Sequence, residues 1–355
     1  MLFYVLFNLL VKNMEYWTEL NTKLKPWIDR DCKLKVVDLF AGCGGLSLGF
    51  EANGFQTIGY EMEDSACKTY NDNLIGDCKK VKLSNDPEYK FPKAEIVVGG
   101  PPCQPFSVGG KQRGLKDSRD GFPIFISAIK NINPKVFLFE NVRGMFYRNK
   151  LYLKEILSEL KSLGYKINFS IMNALDFEVP QNRERLIVIG AKKEIELPNK
   201  VNRRVIVRDA LGELADQYDE NSKFFTESMD RYVAKYEKAS KCINPRDLHL
   251  DKPARTLTCR NLAGATGDMH RIKLKDGRRR RITVREAARL QSFPDWFNFF
   301  GTETQQFIQI GNSVAPFFAY HLAKKIKNHF FNITVEKYES NDIEQLKLFS
   351  YEETF

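Results

Sequence analysis

A short β-branched and apolar run, Lys35 to Phe40, leads into a glycine-rich turn, and the string Asp38-Leu-Phe-Ala-Gly-Cys-Gly-Gly-Leu-Ser-Leu-Gly-Phe-Glu51 then becomes helical. This order of strand, glycine turn and helix restricts the possible folds more than any other feature. Glycines let a backbone turn tightly and approach a ligand, while the next helix faces that ligand with unpaired N–H groups. The spacing predicts a helix over 46–52, a second strand over 57–62 and a helix over 64–73 starting on an Asp cap. Glu61, at the end of the second strand, is placed to accept ribose hydroxyl hydrogen bonds. Taken alone, the pattern also suits a plain strand–helix turn or a nicotinamide oxidoreductase.

The alternation continues. Strands are expected at 96–98, 135–140 and 185–189, and helices at 122–132 and at 152–163, the last ended by Gly164. Strands alternating with helices imply an α/β fold with a mostly parallel sheet. After about residue 195 the rhythm breaks. Residues 200–282 are polar, charged and weakly periodic, which suggests a smaller domain with long loops. Helical pattern returns at 283–291 and 312–330, and 334–355 reads as an acidic surface tail. The apolar run Met1 to Leu10 is too short to span a membrane and lacks the basic flank and cleavage site of a signal peptide. It reads as a packing helix or as sequence upstream of a start at Met14.

A net charge of +10 favours a polyanionic partner such as nucleic acid. The seven cysteines (32, 43, 67, 78, 103, 242 and 259) are scattered, with no C-x-x-C pair. That fits reduced thiols in a cytoplasmic protein, and no metal site is expected.

Three further motifs carry chemistry. Gly99-Gly-Pro-Pro-Cys103-Gln-Pro-Phe-Ser107 follows a predicted strand, at the edge where open α/β sheets bind ligands. Prolines on both sides hold Cys103 rigidly, which makes it a candidate nucleophile rather than a packing residue. Glu140-Asn141-Val142 ends the next strand at the same edge, where a carboxyl beside a thiol can donate a proton. Gln181-Asn-Arg183-Glu-Arg185 precedes a strand and sets two arginines on one face, able to hold a base carbonyl and a phosphate.

Together with REAARLQSFPD (285–295) and QIGNSVAP (309–316), these motifs resemble the cytosine-C5 DNA methyltransferase family, over roughly residues 34–330 and in the family's order. The resemblance implies a Rossmann-like S-adenosylmethionine-dependent methyltransferase fold plus a smaller target-recognition domain. It divides the chain into an N-terminal extension (1–32), a catalytic and cofactor-binding domain (33–195), a target-recognition domain (196–300), a C-terminal helix returning to the catalytic domain (301–331) and a tail (332–355).

The implied activity is transfer of a methyl group from S-adenosyl-L-methionine to C5 of a cytosine flipped out of double-stranded DNA, leaving S-adenosyl-L-homocysteine. Cys103 is implied as the thiolate that attacks C6, Glu140 as the partner of N3, Arg185 as the contact to O2 and Arg183 as an orienting residue. The cofactor would be held by Asp38, Phe40, Ala41, Gly42, Gly44 and Gly45, with Glu61 on its ribose and Met62 and Asp77 at its adenine. Pro102 would line the pocket, and Asn312 would close it from the far end of the chain. Ser107 to Arg119 is expected to close over the DNA as a mobile loop. The basic run Arg271 to Arg289, and within it Arg278, Arg279, Arg280 and Arg281, is expected to touch phosphates.

The resemblance also implies a bacterial restriction-modification enzyme, cytoplasmic and monomeric, with no membrane contact. A cognate endonuclease would act on the same site without forming a stable complex. A tRNA methyltransferase shares every catalytic motif. It has a shorter recognition region carrying Cys-Phe-Thr, where this chain has Thr258-Cys259-Arg260 in a long one. A silent DNA-binding module would lack Cys103 or Glu140, and an oxidoreductase leaves Cys103, Glu140 and Asn312 unexplained.

Overall fold

The computed structural model describes residues 16–29, 34–85, 89–102, 120–239, 241, 246–264 and 267–331. Cys103, Ser107, the 107–119 loop, the first apolar run and the tail lie outside the described residues. Twelve helices are described: α1 (Tyr16–Lys23), α2 (Gly45–Glu51), α3 (Asp64–Asn73), α4 (Phe122–Ile132), α5 (Gly144–Tyr147), α6 (Lys150–Ser162), α7 (Val207–Leu211), α8 (Glu227–Ala239), α9 (Cys259–Ala263), α10 (Val284–Leu290), α11 (Glu303–Asn312) and α12 (Pro316–Phe331). The strands are β1 (Lys35–Leu39), β2 (Gln56–Glu61), β3 (Asp77–Lys80), β4 (Ile96–Gly99), β5 (Val136–Val142), β6 (Lys166–Asn173), β7 (Gln181–Asn182), β8 (Glu184–Ala191), β9 (Ala254–Arg255), β10 (Arg271–Lys273) and β11 (Arg279–Arg281).

Seven strands form the central sheet in the order β3-β2-β1-β4-β5-β8-β6. All neighbours run parallel except β8, which is antiparallel to both β5 and β6. The inner strands are buried on both faces because they alternate between two apolar layers. Val136 and Leu138 join a layer with Leu46, Phe50, Phe317 and Leu322, whereas Phe137 and Phe139 join Phe125, Ile129, Ile156 and Leu160. The chain moves outward from β1 in both directions, so a crevice opens where β1 meets β4, the point at which such sheets bind ligands. Gly99 lets the two strands close there, since a Cβ would lie 2.4 Å from the Leu39 carbonyl oxygen.

Three sequence expectations change. The pattern expected over 312–330 is helix α12, which opens at Pro316, but the single C-terminal helix expected over 301–331 is two, α11 and α12. Helix α3 does not start on an Asp cap. Glu63 is the N-cap, with no side-chain capping bond, and Asp64 sits in the first turn, where its charge suits the helix dipole. Residues 16–24, expected within an extension, pack into the core through Tyr16, Leu20 and Leu24. Tyr16 donates to the Glu178 carbonyl at 2.6 Å, and Trp296 donates to the Asn21 carbonyl at 3.0 Å.

The chain's far end returns to the first helix. Helix α12 lies on α2 so closely that a Cβ on Gly49 would be 2.4 Å from the main chain of Ala319 and Tyr320. Asn53 secures this contact, donating to the Gly49 and Tyr320 carbonyls at 2.8 and 3.1 Å. No helix among the described residues is long and apolar enough to cross a membrane. Gly49→Val should destabilise the protein by roughly 1–3 kcal/mol through overpacking. A urea midpoint equal to wild type would show that α2 and α12 are not locked there.

Candidate active site at the carboxyl edge of the sheet

The glycine loop is built by left-handed backbone. Phe40, Gly42 and Gly44 have φ of 59°, 56° and 89°. Nothing lies within 4 Å of where a Cβ on Gly42 would stand, so that side of the loop is open to a ligand. Glu61 holds the loop to the end of β2. One carboxylate oxygen accepts from the Gly42 N–H at 2.9 Å, and the other accepts from the Met62 and Glu63 N–H groups, each at 2.8 Å. A carboxylate has about four acceptor positions, so roughly one remains for a ligand hydroxyl. Met62 is 55% exposed beside it.

Asp38 lies beneath the loop, buried, with one oxygen accepting from Ser47 Oγ at 2.7 Å and the other without a partner. Burial pushes its carboxyl up to about 7, with the Ser47 hydrogen bond opposing and Glu61 adding. Ala41 donates its N–H to the Tyr60 carbonyl at 3.1 Å, which ties the loop to β2. Gly45 meets the far end of the chain, since a Cβ there would stand 2.0 Å from Ser313 Oγ and 2.4 Å from the Val314 carbonyl oxygen. Asn312, the exposed last residue of α11, is thereby carried to the glycine loop.

Asp77 behaves differently. It opens β3 opposite Ile58, three positions short of the Glu61 level. That is roughly 10 Å along a strand, so the structure does not bring Asp77 to the edge where Glu61 stands.

The second half of the site follows from the reversed strand. Because β8 runs antiparallel to β5, its first residues reach the edge where β5 ends, and Val142 faces Arg185 in register. Arg185 Nε lies 2.8 Å from Glu140 Oε1, with both side chains 13% exposed. Glu140 thus meets the strand end with a guanidinium partner. Gly100 borders this pair, and a Cβ there would come 4.0 Å from Glu140 Oε2.

The approach to Cys103 is held by its neighbours. Asn141 Nδ2 donates to the Pro101 carbonyl at 2.9 Å, and the Gly121 N–H donates to the Pro102 carbonyl at 2.9 Å. Gly121 has to be glycine, since a Cβ would stand 2.4 Å from Pro102 Cδ. Asp120, also buried, accepts from the Phe122 N–H at 3.1 Å and from the Tyr152 hydroxyl. Cys43, the other thiol of these motifs, is buried, which pushes it up to about 12 and leaves it protonated at neutral pH.

Arg183 does not reach solvent, which corrects the idea of a phosphate contact there. It is 3% exposed and donates to the carbonyls of Leu257 at 2.7 Å, Gly311 at 3.3 Å and Ser313 at 3.0 Å. Burial pulls its guanidinium down to about 9, with the like charge of Arg185 adding and Glu140 opposing, so it stays charged at neutral pH. Gln181 and Gln291 extend the network. Gln181 donates to Gln291 Oε1 at 2.6 Å, and Gln291 donates to the Ser313 carbonyl at 2.7 Å. Sequence reasoning singled out the arginines and missed these glutamines, because a contact spanning 110 residues leaves no local signal.

Most of the basic run is also structural. Arg280 is 2% exposed and grips Glu286 with two bonds of 2.9 and 2.7 Å, so it is not available to phosphate. Arg271 is fully buried against Glu237 and Asp247. Arg279 pairs with Asp247 and Asp230. Arg278 pairs with exposed Asp276 at the hairpin tip, and Arg281 donates to the Leu262 carbonyl at 3.3 Å.

The model of the C-5 cytosine-specific DNA methylase family matches residues 34–328. This chain belongs to that family. The methylase is 50% identical over 318 residues to the Type II methyltransferase M.AplI of Arthrospira platensis, covering 88% of this chain and 91% of that protein. It is 31% identical to M.FnuDI of Fusobacterium nucleatum, covering 89% and 100% of the two chains. Among solved structures, the S. pombe Dnmt2 methyltransferase superposes with a TM-score of 0.65 at 20% identity, covering 85% of this chain and all of that one. A putative DNA modification methyltransferase from an E. coli prophage gives 0.61 at 24% identity, covering 83% and 99%. These two likenesses concern the fold, which agrees with the Rossmann-like methyltransferase expectation.

Arg280→Ala should cost about 3–5 kcal/mol by stranding the buried Glu286 charge. Denaturation of this variant checks it, and an unchanged midpoint would refute the structural role. Asp38 gives a pH dependence. Its folded value lies above the unfolded one, so its stabilisation is full below about pH 4 and is lost as pH rises through about 7. The gap in urea midpoint between wild type and Asp38→Asn should shift in favour of the variant across that window, and a gap independent of pH would contradict the assignment.

Proposed function

We propose that this DNA cytosine-C5 methyltransferase uses S-adenosyl-L-methionine to methylate a cytosine extruded from a specific short duplex sequence, as a Type II restriction-modification enzyme. The observation that carries the reading is the Glu140–Arg185 pair at 2.8 Å, set beside Gly100 where the strand leading to Cys103 ends. A charged pair of this kind, 13% exposed, offers one acceptor and several donors to the polar edge of a pyrimidine.

The glycine loop fits the cofactor. Open space at Gly42, one spare acceptor position on Glu61 and the partnerless Asp38 oxygen together suit a ligand rich in hydroxyl and amino groups. In this proposal Asp38, Phe40, Ala41, Gly42, Gly44, Gly45, Glu61, Met62, Pro102 and Asn312 surround it. Asp77 has no such support, because it stands away from the edge. S-adenosyl-L-methionine, when bound, supplies an electrophilic methyl group.

The chain's own residues do the rest. Cys103 adds as thiolate to C6 of the extruded base, and the electron pair moves toward C5. Glu140 holds N3 and Arg185 holds O2, so that charge developing on the ring meets fixed partners. Once C5 is methylated, a base removes the C5 proton and the sulfur–carbon bond breaks, which restores the ring and the thiolate. Arg183 keeps Arg185 and the recognition region aligned. Ser107, Arg278 and Arg281 remain as DNA contacts. The Asp276 partner of Arg278 is exposed and exchanges cheaply for a phosphate.

Cys103→Ser should abolish methyl transfer while retaining DNA binding. Bisulfite sequencing of the expressing plasmid in a methylation-deficient host checks the first statement, and a gel shift of the purified variant on the same plasmid's target duplex checks the second. Wild type should protect cytosines in one recurring short motif and the variant none. Protection by the serine variant at wild-type level would overturn the mechanism.

A further inference from the structure

The recognition region contains a cavity of about 230 Å³ whose wall includes Arg246, His249, Lys252 and Arg255, with Asp247 as its one carboxylate. Asp247 is bonded away from the cavity, accepting from Arg271 and Arg279. Asp268 is shared between Arg246 and Arg255. Lys252 is exposed and has no ion pair among the described residues. In the wall itself, Arg255 Nε is buried with no acceptor. Buried donors without acceptors are rare in folded proteins and call for a bound partner. The cavity thus presents an excess of positive charge and of hydrogen-bond donors.

Its place in the fold is equally informative. Strand β9 forms one side of the cavity, and its Ala254 and Arg255 pair in register with Gln181 and Asn182. Thr256 Oγ1 donates to the Asn182 carbonyl at 2.7 Å, and Arg185 lies three residues further on. Three residues of extended chain span roughly 10 Å, so the Arg255 wall of the cavity lies about that far from Arg185, and Lys252, three residues earlier, lies further. Consecutive phosphates of one strand advance about 3.4 Å along the duplex axis, so the cavity stands within a few nucleotides of the base held by Glu140 and Arg185.

We propose that this cavity binds a phosphodiester group of the DNA backbone close to the target cytosine. The proposal rests on the DNA methyltransferase reading above and moves the main phosphate contact from the 278–281 arginines to the Lys252 wall. Such a contact fixes the register of the duplex without reading its sequence.

The test measures how DNA affinity depends on salt, using full-length enzyme, S-adenosyl-L-homocysteine and a duplex containing the methylated site. Lys252→Ala should lower the log–log salt slope by about 0.9, the value for one lost phosphate contact, and raise the KM for DNA. Lys161→Ala, on α6 at the opposite edge of the sheet, should leave the slope unchanged. A wild-type slope in Lys252→Ala overturns the proposal when wild type in the same preparation methylates the duplex. If wild type does not methylate it, the functional reading itself fails. Inorganic phosphate provides the other arm: saturable binding that Lys252→Ala abolishes without altering the DNA slope would assign the cavity to free phosphate and overturn the DNA contact.

Discussion

A single buried charge joins the parts of this enzyme. Arg183 gives its N–H groups to main-chain carbonyls of Leu257, Gly311 and Ser313 and so ties the segment around Leu257 and the end of α11 to the start of β8. Main-chain acceptors offer no countercharge, so the guanidinium is costly to bury unless all three segments are in place. The same interaction fixes Ser313 on Gly45 and Leu257 beside Gln181. The glycine loop and the segment around Leu257 are thus set against one support, and a shift in either is felt by the other.

The remaining order comes from strand direction. Parallel strands bring the ends of β1, β2, β4 and β5 to one edge, and reversed β8 adds Arg185 to that edge. Acid and arginine then meet although 45 residues separate them in sequence. Main-chain carbonyls of Pro101 and Pro102 are fastened to Asn141 and Gly121, so the chain enters its nucleophile motif from a rigid base.

Much of this was legible in the sequence, for physical reasons. Short apolar and β-branched runs gave β1, β2, β4, β5 and β8 within a residue or two, since a doubly covered strand is apolar on both faces. Motif residues such as Glu61, Glu140 and Arg185 stood at strand ends and were found there. Short elements of the recognition region, including α7, α9 and β9, were not legible, because they are stabilised by distant partners rather than by their own periodicity. The charge pattern misled in one respect. Four consecutive arginines read as phosphate contacts, but strands turn alternate residues inward, and Arg280 goes to Glu286. Nothing local announces a carboxylate six residues ahead as a buried partner.

Gly190 lies far from any reacting atom, paired with Phe137 in the β5–β8 register. A Cβ there would stand 2.3 Å from the Phe137 ring, so the ring lies flat across a strand that has no side chain at that point. In a β-ladder a slip of one residue turns every side chain to the opposite face. The Phe137–Gly190 contact therefore acts as a ruler for the pair of strands. It sets the alignment of Glu140 and Arg185 from roughly 17 Å away along β8. The precision of the charged pair is decided at the end of the sheet opposite to it.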